Sequence, residues 1–150
     1  NTQQRRFLQS GDVNREKTCP LLLRVFYKIG SHHRPEEFNI RGKEPSDEVQ
    51  IYTWRDVTLR ELTELIKEVH SAARQRNAVL SFALIYPDKL GKMVFREIGK
   101  CSSTARSRTE KDAQEHKTLD ELRFDIGDFL DVAIFVNGIT ESHTRTNQML

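Results

Sequence analysis

The segment FDIGDFLDVAIFV, residues 124–136, sets Asp125, Asp128 and Asp131 three residues apart. Carboxylates this close in sequence are the raw material of a divalent-cation site or of a general acid/base pair. Either chemistry needs the side chains to converge. Residues three apart share a face on a helix and take opposite faces on a strand. The alternation of Leu130, Val132, Ile134 and Val136 marks a strand, so Asp128 and Asp131 diverge. Asp125 and Asp128 bracket Gly127 in a turn, where Asp128 can accept hydrogen bonds from nearby backbone N–H groups. The spacing predicts turn and surface carboxylates rather than a metal or acid/base site. His32 and His33 adjoin in a loop without a third ligand at suitable spacing, which predicts solvated imidazoles. Cys19 begins a strand, not a helix, and reads as a structural thiol. No catalytic residue, metal or cofactor is expected.

Composition frames these elements. The 150 residues are 37% hydrophobic and 31% charged, with net charge +2. That is one domain's worth of chain and one core. A balance this mildly basic permits contact with nucleic acid without arguing for it. An aromatic RNA-recognition motif and a basic stripe are both missing, so direct RNA binding is not expected. The two cysteines, Cys19 and Cys101, are far apart and carry no Cys/His ladder, which points to reduced thiols. No apolar run approaches the ~20 residues that span a bilayer, so no membrane partner is expected. The opening NTQQRRFLQSGDVNREK lacks the apolar stretch of a secretion signal.

Residues 1–17 are polar and aperiodic and predict a disordered arm. Pro20 can open a strand, and residues 21–27 alternate as one. A long charged loop covers residues 28–48, and a second strand runs from Val49 to Trp54. Leu59, Leu62, Ile66, Val69 and Ala73 recur at three and four, giving one helical stripe within residues 55–77. Leu65 widens it, and His70 lies at its edge. Thr58 with Glu61 is a capping box, and Asn77 suits the helix end. Residues 79–87 and 93–99 form two more strands joined by a turn. Residues 100–117 read as a mobile polar loop. TLDEL makes one helical turn capped by Thr118, a last strand follows at residues 129–136, and residues 137–150 form a flexible tail.

The order β-β-α-β-β-turn-β is that of an α+β, ubiquitin-like β-grasp: one main helix packed on a five-stranded mixed sheet, spanning residues 18–136. TLDELRFDIGDFLDVAI and TLRELTELI resemble the corresponding segments of ubiquitin in apolar register. The expected inner core is Leu23, Val25, Ile51, Leu59, Leu62, Ile66, Leu130, Val132 and Ile134.

REKTCPLLLRVF, EVQIYTW, TLRELTELIKEV, REIG and IGDFLDVAI resemble, more specifically, the family of the Sin-three-associated polypeptide of eighteen kilodaltons. The resemblance covers roughly residues 14–135; the chain ends and residues 100–117 do not carry it. It implies a nuclear, non-catalytic adaptor in histone deacetylase corepressor complexes and in the splicing-associated ASAP complex. The implied partners are the corepressor scaffold, and Acinus or Pinin together with a serine-rich RNA-binding protein, so that RNA is met only indirectly. The competing class is a ubiquitin-pathway binding module or a ubiquitin-like modifier. A modifier needs a diglycine end for conjugation, whereas this sequence closes on RTNQML.

Alternation places Leu22, Arg24, Phe26, Gln50, Tyr52, Asp131, Ala133 and Phe135 on the sheet face turned away from the helix. Leu22, Arg24, Phe26, Tyr52, Asp131 and Phe135 are the candidate partner-binding residues, with Phe26, Tyr52 and Phe135 expected to lie close together. Such a patch with a polar rim suits a binding surface. The alternative is that the long first loop folds back and covers it.

Overall fold

A computed structural model describes residues 13–104 and 112–136. The five strands are β1 Leu21–Ile29, β2 Glu48–Thr53, β3 Val79–Pro87, β4 Met93–Ser102 and β5 Phe129–Phe135, in the sheet order β2-β1-β5-β3-β4. β1 runs parallel to β5, and the other neighbours are antiparallel. Helix α1, Leu59–Val69, covers one face. The ubiquitin-like α+β expectation holds.

Each element forms for a local reason. Thr58 accepts the Glu61 N–H and starts α1. Leu59, Leu62 and Ile66 then fall on one stripe and are fully buried against the sheet. The buried Thr63 hydroxyl is satisfied by the Leu59 carbonyl at 2.9 Å. Leu23 and Val25 of β1 and Leu130, Val132 and Ile134 of β5 meet the stripe at 0% exposure. Ile51, also expected in this core, packs against it half-buried.

The helix is shorter than its periodicity predicts. His70 leaves the helical backbone, and its Nδ1 accepts the Ala72 N–H at 3.1 Å. That side chain acts as a cap for a new 3-10 turn, Ser71–Arg74. The turn buries Ala72 and Ala73 and leaves Val69, assigned to the stripe from sequence, 58% exposed.

β4 runs past residue 99 because Cys101 packs inward opposite Leu80. Its pairing with β3 slips between Phe82 and Ala83. A Cβ on Gly99 at this slip would stand 2.9 Å from Leu59 Cδ1, so the start of α1 packs where only glycine leaves room.

Two segments read as mobile are partly fixed. Residues 13–17 enter a turn in which Asn14 accepts the Lys17 and Thr18 N–H groups. Arg15 there bonds Asp56 and lies over Trp54. In the loop after β4, Asp112–His116 is a 3-10 turn, with Glu115 buried against Arg60. Residues 1–12, 105–111 and 137–150, which hold the rest of the expected arm, loop and tail, lie outside the described residues.

Leu62→Ala should cost about 2–5 kcal/mol through lost burial and the cavity left behind. Denaturant unfolding checks it; a midpoint equal to the parent's would mean the inner face is wrongly assigned.

Candidate functional site

The outer sheet face carries a second core. Phe26, Phe38 and Ile85 are buried together, with Met93 and Phe129 packed against them. Phe38 belongs to the 3-10 turn Pro35–Phe38, halfway along the loop between β1 and β2. Its ring meets Phe26 edge-on at 5.0 Å and stacks on Phe129 at 5.1 Å. The loop therefore lies back across the sheet, and of the two alternatives the covered face is the one observed.

A polar lock holds the loop there. Asp131, in the centre of β5, has 0% exposure. One carboxylate oxygen accepts the His33 N–H at 3.0 Å and faces His32 Nδ1 at 2.8 Å. The other faces His33 Nδ1 at 2.6 Å. His32 Nε2 lies 2.9 Å from Ser81 Oγ, and that hydroxyl donates to Glu97 at 2.6 Å. Burial alone would raise the pKa of Asp131. The bonds from His32 and His33 outweigh it and hold the carboxyl below its ordinary value.

Ser81, His32 and Asp131 stand in the order of a nucleophile, a base and its orienting acid. The chemistry does not follow from the order. The Ser81 hydroxyl donates to Glu97, so its proton is not directed at His32 as a nucleophile's would be. Ser81 is also sealed at 1% exposure. The network is a structural clamp. His32 and His33 are thus neither solvated nor free, contrary to the sequence expectation, because their carboxylate partner lies 99 and 98 residues away.

Arg24 is a second tether. Its guanidinium lies over Phe26 and Phe129 and pairs with Glu48 and with Glu44 of the loop. The same guanidinium pulls the Glu48 carboxyl below its usual range.

The six candidate partner-binding residues therefore separate. Phe26 and Asp131 are buried beneath the loop, and Arg24 is taken up by its tether. Leu22 and Tyr52 are direct cross-strand partners and remain 41% and 69% exposed. Phe135 is half-buried at the far end of β5. The expected closeness of Phe26, Tyr52 and Phe135 fails on register. Tyr52 pairs with Leu22, four residues from Phe26 and so about 13 Å along the strand. Phe135 lies beyond the pairing of Ile29 with Ile134, further away still.

Asp125 and Asp128 behave as the turn reading predicts. Asp128 accepts the Asp125 N–H at 3.0 Å. Both line an open cleft of about 270 Å³ with Tyr86, Arg96 and Arg123. Burial pushes the Asp128 carboxyl up. Among the described residues no three His, Cys, Asp or Glu side chains are grouped to hold a metal ion. Cys19 is exposed, and burial raises the thiol of Cys101.

Asp131→Ala should destabilise by about 3–5 kcal/mol, since it strands two imidazoles that lose a buried partner. The pH dependence has a definite sign. The folded pKa of Asp131 lies below the unfolded value of about 3.9, so its contribution is complete above that value and fades as pH falls through the folded one. The stability gap between the parent and Asp131→Asn should therefore narrow below about pH 4. Denaturant midpoints measured across that range check it, and a constant gap would assign the lock elsewhere.

Comparison with known proteins identifies the family. The family model described as Sin3 associated polypeptide p18 (SAP18) matches residues 12–134. The chain is 59% identical over 123 residues to an Arabidopsis thaliana protein named histone deacetylase complex subunit SAP18, covering 82% of this chain and 79% of that one. It is 49% identical over 124 residues to the Homo sapiens protein of that name, covering 81% and 77%. For the Drosophila melanogaster protein the identity is 42% over 128 residues, covering 84% and 81%. Matched across most of its length by both the family model and these relatives, the chain belongs to the Sin3 associated polypeptide p18 (SAP18) family.

Proposed function

We propose that this protein is a non-catalytic nuclear adaptor, a subunit that joins a histone deacetylase corepressor complex to other factors. The observation that carries the reading is the identity to proteins named as histone deacetylase complex subunits, which extends over about four-fifths of the chain. The chemistry of the surface supports it. The most triad-like cluster is sealed and committed to holding a loop, while an apolar pair, Leu22 and Tyr52, stands in solvent. A second set of partners belongs to the same proposal: Acinus or Pinin with a serine-rich RNA-binding protein, in a splicing-associated assembly that brings RNA only through those proteins.

Leu22, Tyr52 and Phe135 are the residues of the original six that a partner can still reach. Tyrosine is enriched at interface hot spots, and a flat exposed aromatic loses little entropy on binding. Full-length tagged protein captured from nuclear extract should retain histone deacetylase subunits, quantified by mass spectrometry. Leu22→Ala combined with Tyr52→Ala should lower that recovery about tenfold, equivalent to about 1.4 kcal/mol, at an unchanged unfolding midpoint. Deacetylase subunits absent from the parent capture would overturn the adaptor reading.

A further inference from the structure

We propose that the free edge of β2 is a strand-addition site: it takes an extended, apolar segment of a partner protein, bearing a lysine or arginine at one end, as a sixth strand of the sheet. This rests on the adaptor reading and specifies how that adaptor holds a partner.

The argument begins with the ladder between β1 and β2. The Tyr27 N–H donates to the Asp47 carbonyl at 3.1 Å, one step beyond the pairing of Phe26 with Glu48. In an antiparallel pair, hydrogen-bonded and non-bonded positions alternate. Val49, Ile51 and Thr53 therefore exchange bonds with β1. Glu48, Gln50 and Tyr52 turn their N–H and C=O groups away from it. The other side of β1 agrees: Gly30, of the opposite parity to Tyr27, donates to Ile134 of β5. Since β2 ends the sheet order, these three residues carry a row of donors and acceptors that no strand among the described residues pairs.

The two edges of the sheet differ. On β4 the Lys100 N–H donates to Gln114 Oε1 at 2.9 Å, and the slip at Gly99 breaks the regular row. Arg96 crosses to the Leu122 carbonyl at 2.9 Å. These are the devices that blunt an edge against pairing. β2 has none of them: no proline, no bulge and no lysine.

The side chains along β2 say what kind of strand fits. Tyr52 and its partner Leu22 offer apolar surface on the outer face. Val49 and Ile51 on the helix side are only half-buried, so an added strand would finish covering both rows. At the Glu48 end, Asp47 is exposed, and Glu48 already shares Arg24 with Glu44. An incoming cation there meets an acidic end, which sets the register. In strand addition the main chain supplies affinity and alternate side chains supply selectivity.

The test is a library of random dodecapeptides displayed on phage and selected on the immobilised full chain, with enriched peptides resynthesised. Enriched sequences should alternate apolar residues and carry Lys or Arg near one end. Amide hydrogen exchange should show Glu48, Gln50 and Tyr52 fast in the free protein and at least tenfold slower with peptide, while Val49 and Ile51 stay slow in both. Gln50→Pro removes one outward N–H and no ladder bond. It should weaken the peptides at least tenfold while the unfolding midpoint is kept. Should that variant unfold, N-methylation of alternate peptide amides replaces it: one set should abolish binding and the other leave it. Peptides that protect other amides, or a library that enriches nothing, would overturn the proposal. So would slowing of the β2 amides by raised protein concentration alone, which would make a second copy the occupant. The outcomes separate from those of the adaptor reading. Deacetylase capture without β2 protection sinks only the strand site, and β2 protection without capture sinks only the adaptor.

Discussion

A carboxylate buried in the middle of a sheet is the constraint from which the outer half of this molecule follows. Asp131 sits on β5 between β1 and β3, with no exposure to water. An unpaired charge there would cost far more than the domain's net stability can absorb. It is kept ionised by three donors from two consecutive residues of one loop: both imidazoles and a backbone N–H. The loop cannot leave without stranding the charge. Once it is fixed over the sheet, Phe38 falls onto Phe26 and Phe129, and a face that alternation would leave apolar and wet becomes a core.

Arg24 closes the same loop from the other side. It spans from the rings of Phe26 and Phe129 to Glu48 on β2 and Glu44 in the loop. A half-exposed ion pair contributes little by itself. Its use here is geometric, because the planar guanidinium stacks on the aromatics while its edge holds carboxylates. The loop is thus bound by a buried polar lock near its start and a partly wet tether near its end. The margin of the outer face beside β2, with Leu22 and Tyr52, stays outside that closure.

The sequence conveys the helix side of the fold well, since that side rests on local periodicity. Thr58 as a cap, the stripe of Leu59, Leu62 and Ile66, and the alternation of β5 all follow from neighbours within a few residues. The outer side rests on contacts that period cannot reach. His32 and His33 look like loop residues until Asp131, nearly a hundred positions on, is laid beside them. Ser81 and Glu97 join that network with no local signal at all. Alternation correctly placed Leu22, Phe26, Tyr52 and Phe135 on one face, but a face is not a cluster. Register decides distance, and it separates Tyr52 from Phe26 by four residues. Val69 failed for another reason: the helix ends at His70, whose side chain caps the following 3-10 turn.

A sheet with a helix on one face and a tied loop on the other has only its edges left for partners that recognise backbone. One edge is interrupted from within the chain, where Gln114 accepts the Lys100 N–H and the pairing slips beside Gly99. The other is straight, regular and unblunted. An exposed edge of that kind is an aggregation hazard in a protein that works alone. It is a coherent feature in one that works inside a complex, where the hazard is removed by occupation. The asymmetry of the two edges thus complements the buried clamp: among the described residues the outer face is closed over Phe26 and Asp131, while the edge of β2 is left unpaired.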